Sequence, residues 1–450
     1  MRIVDNPGAR FAYLLVALTC LLAGDALRFT FGWWAFGILS GTVVAVSVWL
    51  LIVQRARWRL SSLPYPFIAF LLLATASIAW SAYRPETALG LMTTWWIAST
   101  AVAAAVTFSW AEIVRAMSIV VRVILGLSLA FELFVSLVLR HPILPFNTQP
   151  GVDYSQYKKI PLLLYWSRDQ LFDVFHEGRI QGILGNANNL GVIALIGLVV
   201  FAIQTADRSI RRRWGVLWIA VALATLVFTR SGTITVALVV VCFVTLAVLL
   251  VRRAQTPRAR ALTYGGLLAT VAIGAVAATA WHGAILQVLG KSADLTGRVG
   301  IWQSVIGLAQ QHPVFGWGWV SFWMPWAAPF DNLAFRNGVR QLQAHDAWLD
   351  LWFQLGIVGV VVFALLALTA LGRSWALAVD RRQTQRDHAE RYDALSLFPL
   401  LMLVLLLVQS VAESRLLVEY GLFLLVVIAV KTKRSAQSPD EAEVPARAAI

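Results

Sequence analysis

About twelve apolar segments, most of them about 20 residues long, run through the chain and restrict what it can fold into. A helix of that length crosses the hydrocarbon core of a bilayer with its backbone polar groups hydrogen-bonded internally. Hydrophobic residues make up 59% of the chain and charged residues only 13%, against about 25% charged residues in average soluble domains. The sequence therefore predicts an all-α polytopic membrane protein.

The predicted membrane helices lie near 11–27, 33–53, 66–82, 88–109, 113–139, 182–203, 214–229, 232–251, 263–281, 346–372, 395–412 and 416–430. We interpret residues 1–434 as a single integral membrane domain. Residues 435–450 are polar and charged, a composition typical of disorder, so we expect a disordered cytoplasmic tail there. Cys20 and Cys242 lie in separate apolar segments, which predicts neither a disulfide framework nor a metal pair.

The positive charges are placed as topology signals. A net charge of +14 could suggest a nucleic-acid partner, but the cations lie in short runs between apolar segments, so we expect no nucleic acid. Arginine-rich connections alternate with connections that carry a single arginine, as the positive-inside rule requires. Both termini are therefore predicted to be cytoplasmic. The arginine-rich connections lie near 55–59, 208–213, 252–260 and 373–391.

Two long loops, at about 140–181 and 282–345, are predicted to lie outside the cytoplasm. Loops of this length are uncommon unless they are functional or disordered. The second contains HPVFGWGWVSFWMPW (312–326), and Trp prefers the membrane interface. We expect a short amphipathic helix over 298–311 and a turn-rich segment over 313–330 that lies on the outer leaflet.

His345 is the strongest candidate for acid–base chemistry, because it stands in QAHDAWLDLWFQLGIVG (343–359) at the start of the tenth predicted segment. Asp346 and Asp350 follow it within about one turn. Asp346 either caps the helix or orients His345 as a general base at the membrane surface. The residue pattern leaves both interpretations open.

Four arginines of the outer connections form a second set of candidates: Arg179, Arg230, Arg298 and Arg415. Such arginines either extend to water from helix ends or bind an anionic lipid headgroup such as a pyrophosphate through their bidentate fork. Glu413 lies beside Arg415, which predicts an ion pair between them. Asn188 lies in GNANNLG (185–191), a run that could coordinate a cation in a transporter.

Several catalytic motifs do not occur in the sequence. It contains no HExxH, no P-loop, no GxSxG and no DxD pair. These absences argue against ATP-driven work and against a metal-dependent nucleotide-sugar enzyme. We therefore expect no metal and no cofactor, with arginines in place of a divalent ion if a pyrophosphate is the leaving group.

The chain resembles the O-antigen ligase and O-antigen or exopolysaccharide polymerase superfamily of bacterial membrane proteins. The stretches that carry the resemblance are GRIQGILGNANNLGVIAL (178–195), FTRSGTITV (228–236), TGRVGIWQSVIGLAQQHPVFGWGW (296–319) and AHDAWLDLWFQLGIVGVVVF (344–363). The resemblance implies a membrane glycosyltransferase fold of the GT-C type, with about twelve helices and a large extracytoplasmic loop before the tenth.

The resemblance also implies metal-independent, inverting glycosyl transfer at the outer face of the cytoplasmic membrane. The donor is a glycan on undecaprenyl pyrophosphate, and the acceptor hydroxyl belongs to another glycan or to a glycolipid. Arg230 and Arg298 would hold the pyrophosphate, His345 would be the base, and Arg179 would be a further phosphate or sugar contact.

Two other classes of function remain open, a lipid-linked sugar flippase or transporter and a non-catalytic scaffold of polysaccharide assembly. A transporter often carries ionisable residues deep in several helices. This sequence has few ionisable residues in the middle of its predicted helices beyond Arg122 and Glu132.

Overall fold

The computed structural model describes residues 6–173, 178–281, 283–284, 297–336, 338–380 and 393–437. Thirteen α-helices and one small hairpin form within these ranges, which confirms the all-helical prediction. The helices are α1 Pro7–Leu22, α2 Gly24–Val53, α3 Tyr65–Ala76, α4 Arg84–Thr107, α5 Trp110–Phe134, α6 Ala187–Ala206, α7 Arg212–Thr229, α8 Gly232–Arg253, α9 Pro257–Ala280, α10 Arg298–Ala309, α11 Ala347–Val379, α12 Phe398–Ser410 and α13 Glu419–Gln437. Strands β1 Phe335–Arg336 and β2 Val339–Arg340 form the antiparallel hairpin.

Each of the twelve predicted apolar segments coincides with a helix. Among the described residues, eight helices are long and apolar enough to cross a membrane, and α1, α3 and α12 lie in shorter apolar helical stretches. The short helix predicted over 298–311 is present as α10. Helix α13 continues through Gln437, so the expected tail does not begin at 435; its remaining residues, 438–450, lie outside the described residues.

Helices α6, α12 and α13 form the centre of the bundle, because apolar side chains are buried around most of their surface. A helix that is apolar on all sides is stable only when protein or lipid surrounds it. Helix α13 packs on α4 and α11, α12 packs on α8, and α6 packs on α5 and α7. Helix α9, in contrast, has no buried residue and lies at the edge of the described bundle.

The loops predicted to share a side of the membrane lie together. The first long loop meets the second where the Tyr157 hydroxyl donates to the Gly338 carbonyl (3.3 Å). At the opposite end, Lys433 donates to the carbonyl of Leu63 (2.7 Å), and Arg252 donates to the Ser396 hydroxyl (2.8 Å). The arginine-rich loops and the loops predicted to lie on the other side of the membrane are therefore at opposite ends of the structure. Residues 381–392 and 285–296 of these loops lie outside the described part of the chain.

Helix α11 breaks at Gly356, and the segment after α10 occupies the break. Gly356 has φ 67°, a conformation that favours glycine. The break releases backbone groups that pair with 313–318: Trp317 N–H donates to the Phe353 carbonyl (3.0 Å), and Ile357 N–H donates to the Pro313 carbonyl (2.9 Å). A Cβ at Gly356 would overlap the Val314 carbonyl, so the contact requires glycine.

The Trp-rich segment is mainly a core element, which corrects the prediction that 313–330 lies on the outer leaflet. Trp319 and Trp323 are fully buried. The indole N–H of Trp319 donates to Thr94 Oγ1, and that of Trp323 donates to Asp350 Oδ1, both at 2.8 Å. Trp326 alone of these three is exposed. The many tryptophans suggested the membrane interface, but a buried core also favours a large apolar ring with one N–H group, so the number of tryptophans does not distinguish the two locations.

We expect Gly356→Ala to lower the free energy of unfolding by more than about 1 kcal/mol, because alanine is strained at this φ and its Cβ overlaps Val314. Gly372→Ala is the matched control, since Gly372 lies in the same helix with open space around it. That substitution should be neutral or stabilising by up to about 1 kcal/mol. Thermal unfolding of the detergent-solubilised proteins measures both effects, and equal midpoints for the two variants would contradict the tight contact.

Candidate functional site

A buried carboxylate, Glu413, joins the predicted site residues into one cluster. Its Oε1 accepts from Arg298 (3.1 Å) and from the Asn188 amide (2.9 Å). Its Oε2 lies 2.9 Å from His345 Nδ1 and accepts from Gln343 Nε2 (3.1 Å). Burial raises the pKa of Glu413, but the charges of His345 and Arg298 outweigh that effect and lower it to about 2. The carboxylate is therefore ionised throughout the physiological range.

His345 is held in a defined orientation just before α11. Its backbone is left-handed, with φ 53°, which costs a non-glycine residue roughly 1–2 kcal/mol. The two ring nitrogens are engaged by different partners, Nδ1 by Glu413 and Nε2 by the side-chain oxygen of Gln341 (3.0 Å). The ring is about one-eighth exposed.

The carboxylate that orients His345 is Glu413, and not one of the two aspartates that follow it. Asp346 caps α11, accepting from the N–H groups of Trp348 (2.8 Å) and Leu349 (3.0 Å). The capping interpretation is therefore confirmed. The sequence predicted correctly that a carboxylate orients His345, but it pointed to Asp346 instead of Glu413.

Asp350 connects the segments that carry His345 and Glu413. It is buried, and it accepts from the Trp323 indole (2.8 Å), the Ala344 N–H (3.1 Å) and the Ser414 hydroxyl. These donors lie on three separate segments. Ala344 directly precedes His345, Ser414 directly follows Glu413, and Trp323 belongs to the Trp-rich segment. A buried carboxylate with several donors is a rigid connection between loops.

Asn188 extends the cluster toward Arg179. Its neighbour Asn186 caps α6 and so fixes the start of the helix. The Asn188 side-chain oxygen accepts from Arg179 (3.1 Å) and from the Ser231 hydroxyl (2.9 Å), while its amide N–H donates to Glu413. Two donors use both lone pairs of this oxygen. The arrangement therefore does not leave Asn188 as a cation ligand, which was one interpretation of GNANNLG.

Several further arginines gather around Arg179. Burial lowers the pKa of Arg179, and the like charges of Arg168, Arg336 and Arg230 lower it further, to about 10. Arg230 ends α7 in a left-handed conformation (φ 46°), between two helices. Arg298 begins α10. The like charges of Arg168, Arg336 and Arg230 act on Arg179, and an anion bound at this end of the cluster would relieve their repulsion.

Arg168 and Arg336 are additions that the sequence did not predict. Arg168 lies in the first long loop, and Arg336 lies in the hairpin of the second. Arg168 stands in YWSRDQ (165–170), which contains no glycine or asparagine, whereas Arg336 is followed by Asn337 and Gly338, the same context that singled out the other arginines. Only the packing of the two loops on each other brings them near Arg179.

Arg415 lies in a separate, charge-balanced cluster. It pairs with Glu419 and with Asp25 (3.2 Å), and Arg28 pairs with the same two carboxylates. Burial opposes the charged form, but Glu419 and Asp25 raise the pKa of Arg415. The ion pair expected between Glu413 and Arg415 is replaced by these contacts. Two arginines opposite two carboxylates leave no excess charge in this cluster.

Two charged residues inside α5, Arg122 and Glu132, have structural partners. Arg122 donates to Gln204 of α6 (3.5 Å). Glu132 accepts from the N–H groups of Gln181 (2.8 Å) and Gly182 (2.7 Å) and from the Ser167 hydroxyl (2.7 Å). Glu132 therefore holds the first long loop against α5. In the described part of the chain, no group of three or more His, Cys, Asp and Glu residues is placed to hold a metal ion.

A known family matches part of the chain. Residues 217–364 match the model of the O-antigen ligase family (Wzy_C), a segment that contains Arg230, Arg298 and His345. The resemblance to the O-antigen ligase and polymerase superfamily is thereby confirmed. A search of the curated proteins finds no match. Glu413, Asn188 and Arg179 lie outside the matched segment, and the fold brings them to it.

We expect the stabilising effect of the Glu413 charge to depend on pH. The pKa of this carboxyl is lowered from 4.5 to about 2, so its contribution is fully present above about pH 4.5 and is lost as the pH falls toward 2. Glu413→Gln should unfold at a lower temperature than the wild type at pH 7. The difference should narrow between pH 4.5 and 3.

Thermal unfolding in detergent across this range measures the effect. Glu86→Gln is the control, because Glu86 accepts a hydrogen bond from an exposed tryptophan, Trp326, away from the cluster. A difference between wild type and Glu413→Gln that is the same at pH 7 and pH 3 would contradict the assignment.

Proposed function

We propose, from the O-antigen ligase domain that this chain carries at residues 217–364, that it catalyses metal-independent, inverting glycosyl transfer. The family implies an enzyme that transfers a lipid-linked glycan to a glycan acceptor in a membrane. The finer proposal is a donor on undecaprenyl pyrophosphate and an acceptor hydroxyl on another glycan or on a glycolipid. The observation that carries it is the buried cluster in which Glu413 joins His345 to Arg298.

His345 is proposed as the general base. When Nδ1–H donates to Glu413, the lone pair of the neutral ring lies on Nε2, and it takes the proton once the Gln341 side chain moves aside from its 3.0 Å contact. The acceptor oxygen then forms its bond to the anomeric carbon, the bond from that carbon to the pyrophosphate oxygen breaks, and the hydroxyl proton moves to Nε2. The resulting imidazolium fits the observed contacts, because both nitrogens face oxygens and Glu413 balances the charge.

The arginines are proposed to hold the departing pyrophosphate. Arg179, Arg230 and Arg298 come from three segments and would stabilise the negative charge that develops as the lipid leaves. Arg168 and Arg336 would add to the same field, since their charges act on Arg179. Arg298 contacts Glu413 directly and would therefore connect the leaving-group site to the base.

Arg415, Asp346 and Asn188 receive positioning roles in this proposal. Arg415 was a candidate substrate contact, but its pairs with Asp25 and Glu419 favour a role in holding the turn that carries Glu413. Asp346 caps the helix after His345, and Asn188 spaces Arg179 from Glu413.

We further propose that residues 1–434 form one membrane domain with twelve crossings and the GT-C type of fold. Both termini would lie in the cytoplasm, and the cluster around Glu413 would face the extracytoplasmic side of the cytoplasmic membrane. The separation of the loops into two ends supports this arrangement, as does the positive-inside pattern.

We expect His345→Ala and Glu413→Gln to reduce glycan transfer by roughly 100-fold or more, because a general base contributes about that much to the rate. His141→Ala is the matched control, since His141 is an exposed histidine that contacts the neighbouring Pro142 carbonyl. Transfer from purified undecaprenyl-pyrophosphate glycan into polymer or glycolipid measures the rate. Full activity of His345→Ala in correctly inserted protein would contradict the proposed base, and movement of glycan across the bilayer without transfer would favour a flippase.

We expect an impermeant maleimide to label Asn332→Cys on intact cells and Ser209→Cys only after lysis, since both residues are exposed and lie at opposite ends of the bundle. Position 320 is unsuitable for this test, because Val320 is fully buried. The background variant is Cys242→Ser, which removes an exposed native thiol. The reverse labelling pattern would contradict the proposed orientation.

A further inference from the structure

A pocket at the same end of the bundle as the Glu413 cluster has several aromatic residues in its wall. Its volume is about 560 Å³, and its lining includes Trp80, Phe315, Trp317, Gln311 and His312. Ligand pockets of about 300–1,000 Å³ are typically apolar and aromatic with a few polar groups that fix orientation. Trp80 follows α3 and the other residues follow α10, so the pocket lies among loops rather than between membrane helices.

The aromatic walls are fixed in place before any ligand binds. The Trp80 indole N–H donates to the Phe315 carbonyl (3.2 Å), and the Trp317 indole N–H donates to the Leu308 carbonyl (2.8 Å). Trp80 meets Phe315 edge to face, and His312 meets Trp317 in the same way. The segment is also clamped into the break of α11 at Gly356. Rigid walls reduce the entropy lost on binding.

An uncharged strip of exposed residues runs along α10 toward this pocket. Helix α10 begins at Arg298 and ends at Ala309, a distance of roughly 18 Å at 1.5 Å per residue. Its exposed residues are Gly300, Gln303, Ser304 and Gly307, and exposed Gln310 and Gln311 follow it. Amides and a hydroxyl exchange hydrogen bonds with sugar hydroxyls, whereas a strip for an anion would carry cations and one for acyl chains would be apolar.

We propose that this pocket, which we call the aromatic pocket, binds sugar residues of a glycan substrate whose reacting end lies at His345 and Arg298. The C–H faces of a pyranose ring pack on the indole and phenyl rings, while Gln311 and His312 bind its hydroxyl groups. The inference rests on the proposed function, which identifies the ligand as a glycan. The pocket itself would give the enzyme affinity for sugars several units away from the reacting one.

The test measures binding without transfer. The probe is the oligosaccharide released by mild acid from the cells' lipid-linked glycan, which lacks pyrophosphate and lipid, and saturation-transfer NMR on the full-length protein in detergent measures its affinity. We expect Trp80→Ala to weaken binding roughly tenfold or more, equivalent to about 1.4 kcal/mol. Gln311→Ala, at an exposed side chain, should weaken it less while leaving the fold intact.

Two controls make the result specific to the pocket. Trp34→Ala removes a highly exposed tryptophan elsewhere, with 89% of its surface exposed, and should leave the affinity unchanged. His141→Ala, at an exposed histidine outside the site, should bind the oligosaccharide as well as the wild type does. Unchanged affinity in both Trp80→Ala and Gln311→Ala would overturn the proposal. The proposal would also be overturned if a phospholipid copurified with the wild type but not with Trp80→Ala, and if the oligosaccharide did not displace it.

A transfer assay on the same samples separates this inference from the proposed function. If the wild type binds the oligosaccharide in the aromatic pocket but transfers no glycan, the proposed function fails and the pocket stands. If the wild type transfers glycan and the pocket variants keep the same KM for donor and acceptor, the pocket fails and the function stands.

Discussion

The ionised carboxylate of Glu413 is the interaction on which the organisation of the site depends. A buried charge is tolerated only where partners replace its hydration, and here Arg298, His345, Asn188 and Gln343 do so. These partners come from α6, the start of α10 and the segment before α11, so one carboxylate aligns three parts of the chain. Removing it would leave Arg298 buried without its counter-charge and His345 without the oxygen that orients its ring.

Breaks in two helices allow the two long loops to be rigid without long secondary structure of their own. At Gly32 the side chain of Asn147 donates to the carbonyls of Phe29 and Thr30 released by the break in α2. At Gly356 the backbone of 313–318 pairs with α11 in the same way. Irregular backbone is stable near a membrane only where protein groups satisfy it. Each loop is therefore fixed by the helix whose broken end it completes.

The sequence predicted the helices well, because a span of apolar residues has few alternatives in a bilayer. It also singled out His345, Arg298 and Arg179 from their local context. It could not predict their common partner, since Glu413 is 68 residues from His345, 115 from Arg298 and 225 from Asn188. It predicted a pair between Glu413 and Arg415 because they are neighbours in sequence, whereas the fold turns the two side chains toward different clusters.

The two charged clusters differ in what surrounds their arginines, carboxylates in one and like charges in the other. Arg28 and Arg415 are matched by Asp25 and Glu419, so that cluster is complete within the protein. Burial lowers the pKa of Arg179, and repulsion by the charges of Arg168, Arg336 and Arg230 lowers it further. An anion bound there relieves this repulsion. If the anion is a pyrophosphate that gains charge as it departs, the relief is greatest in the transition state, and the binding energy accelerates the reaction.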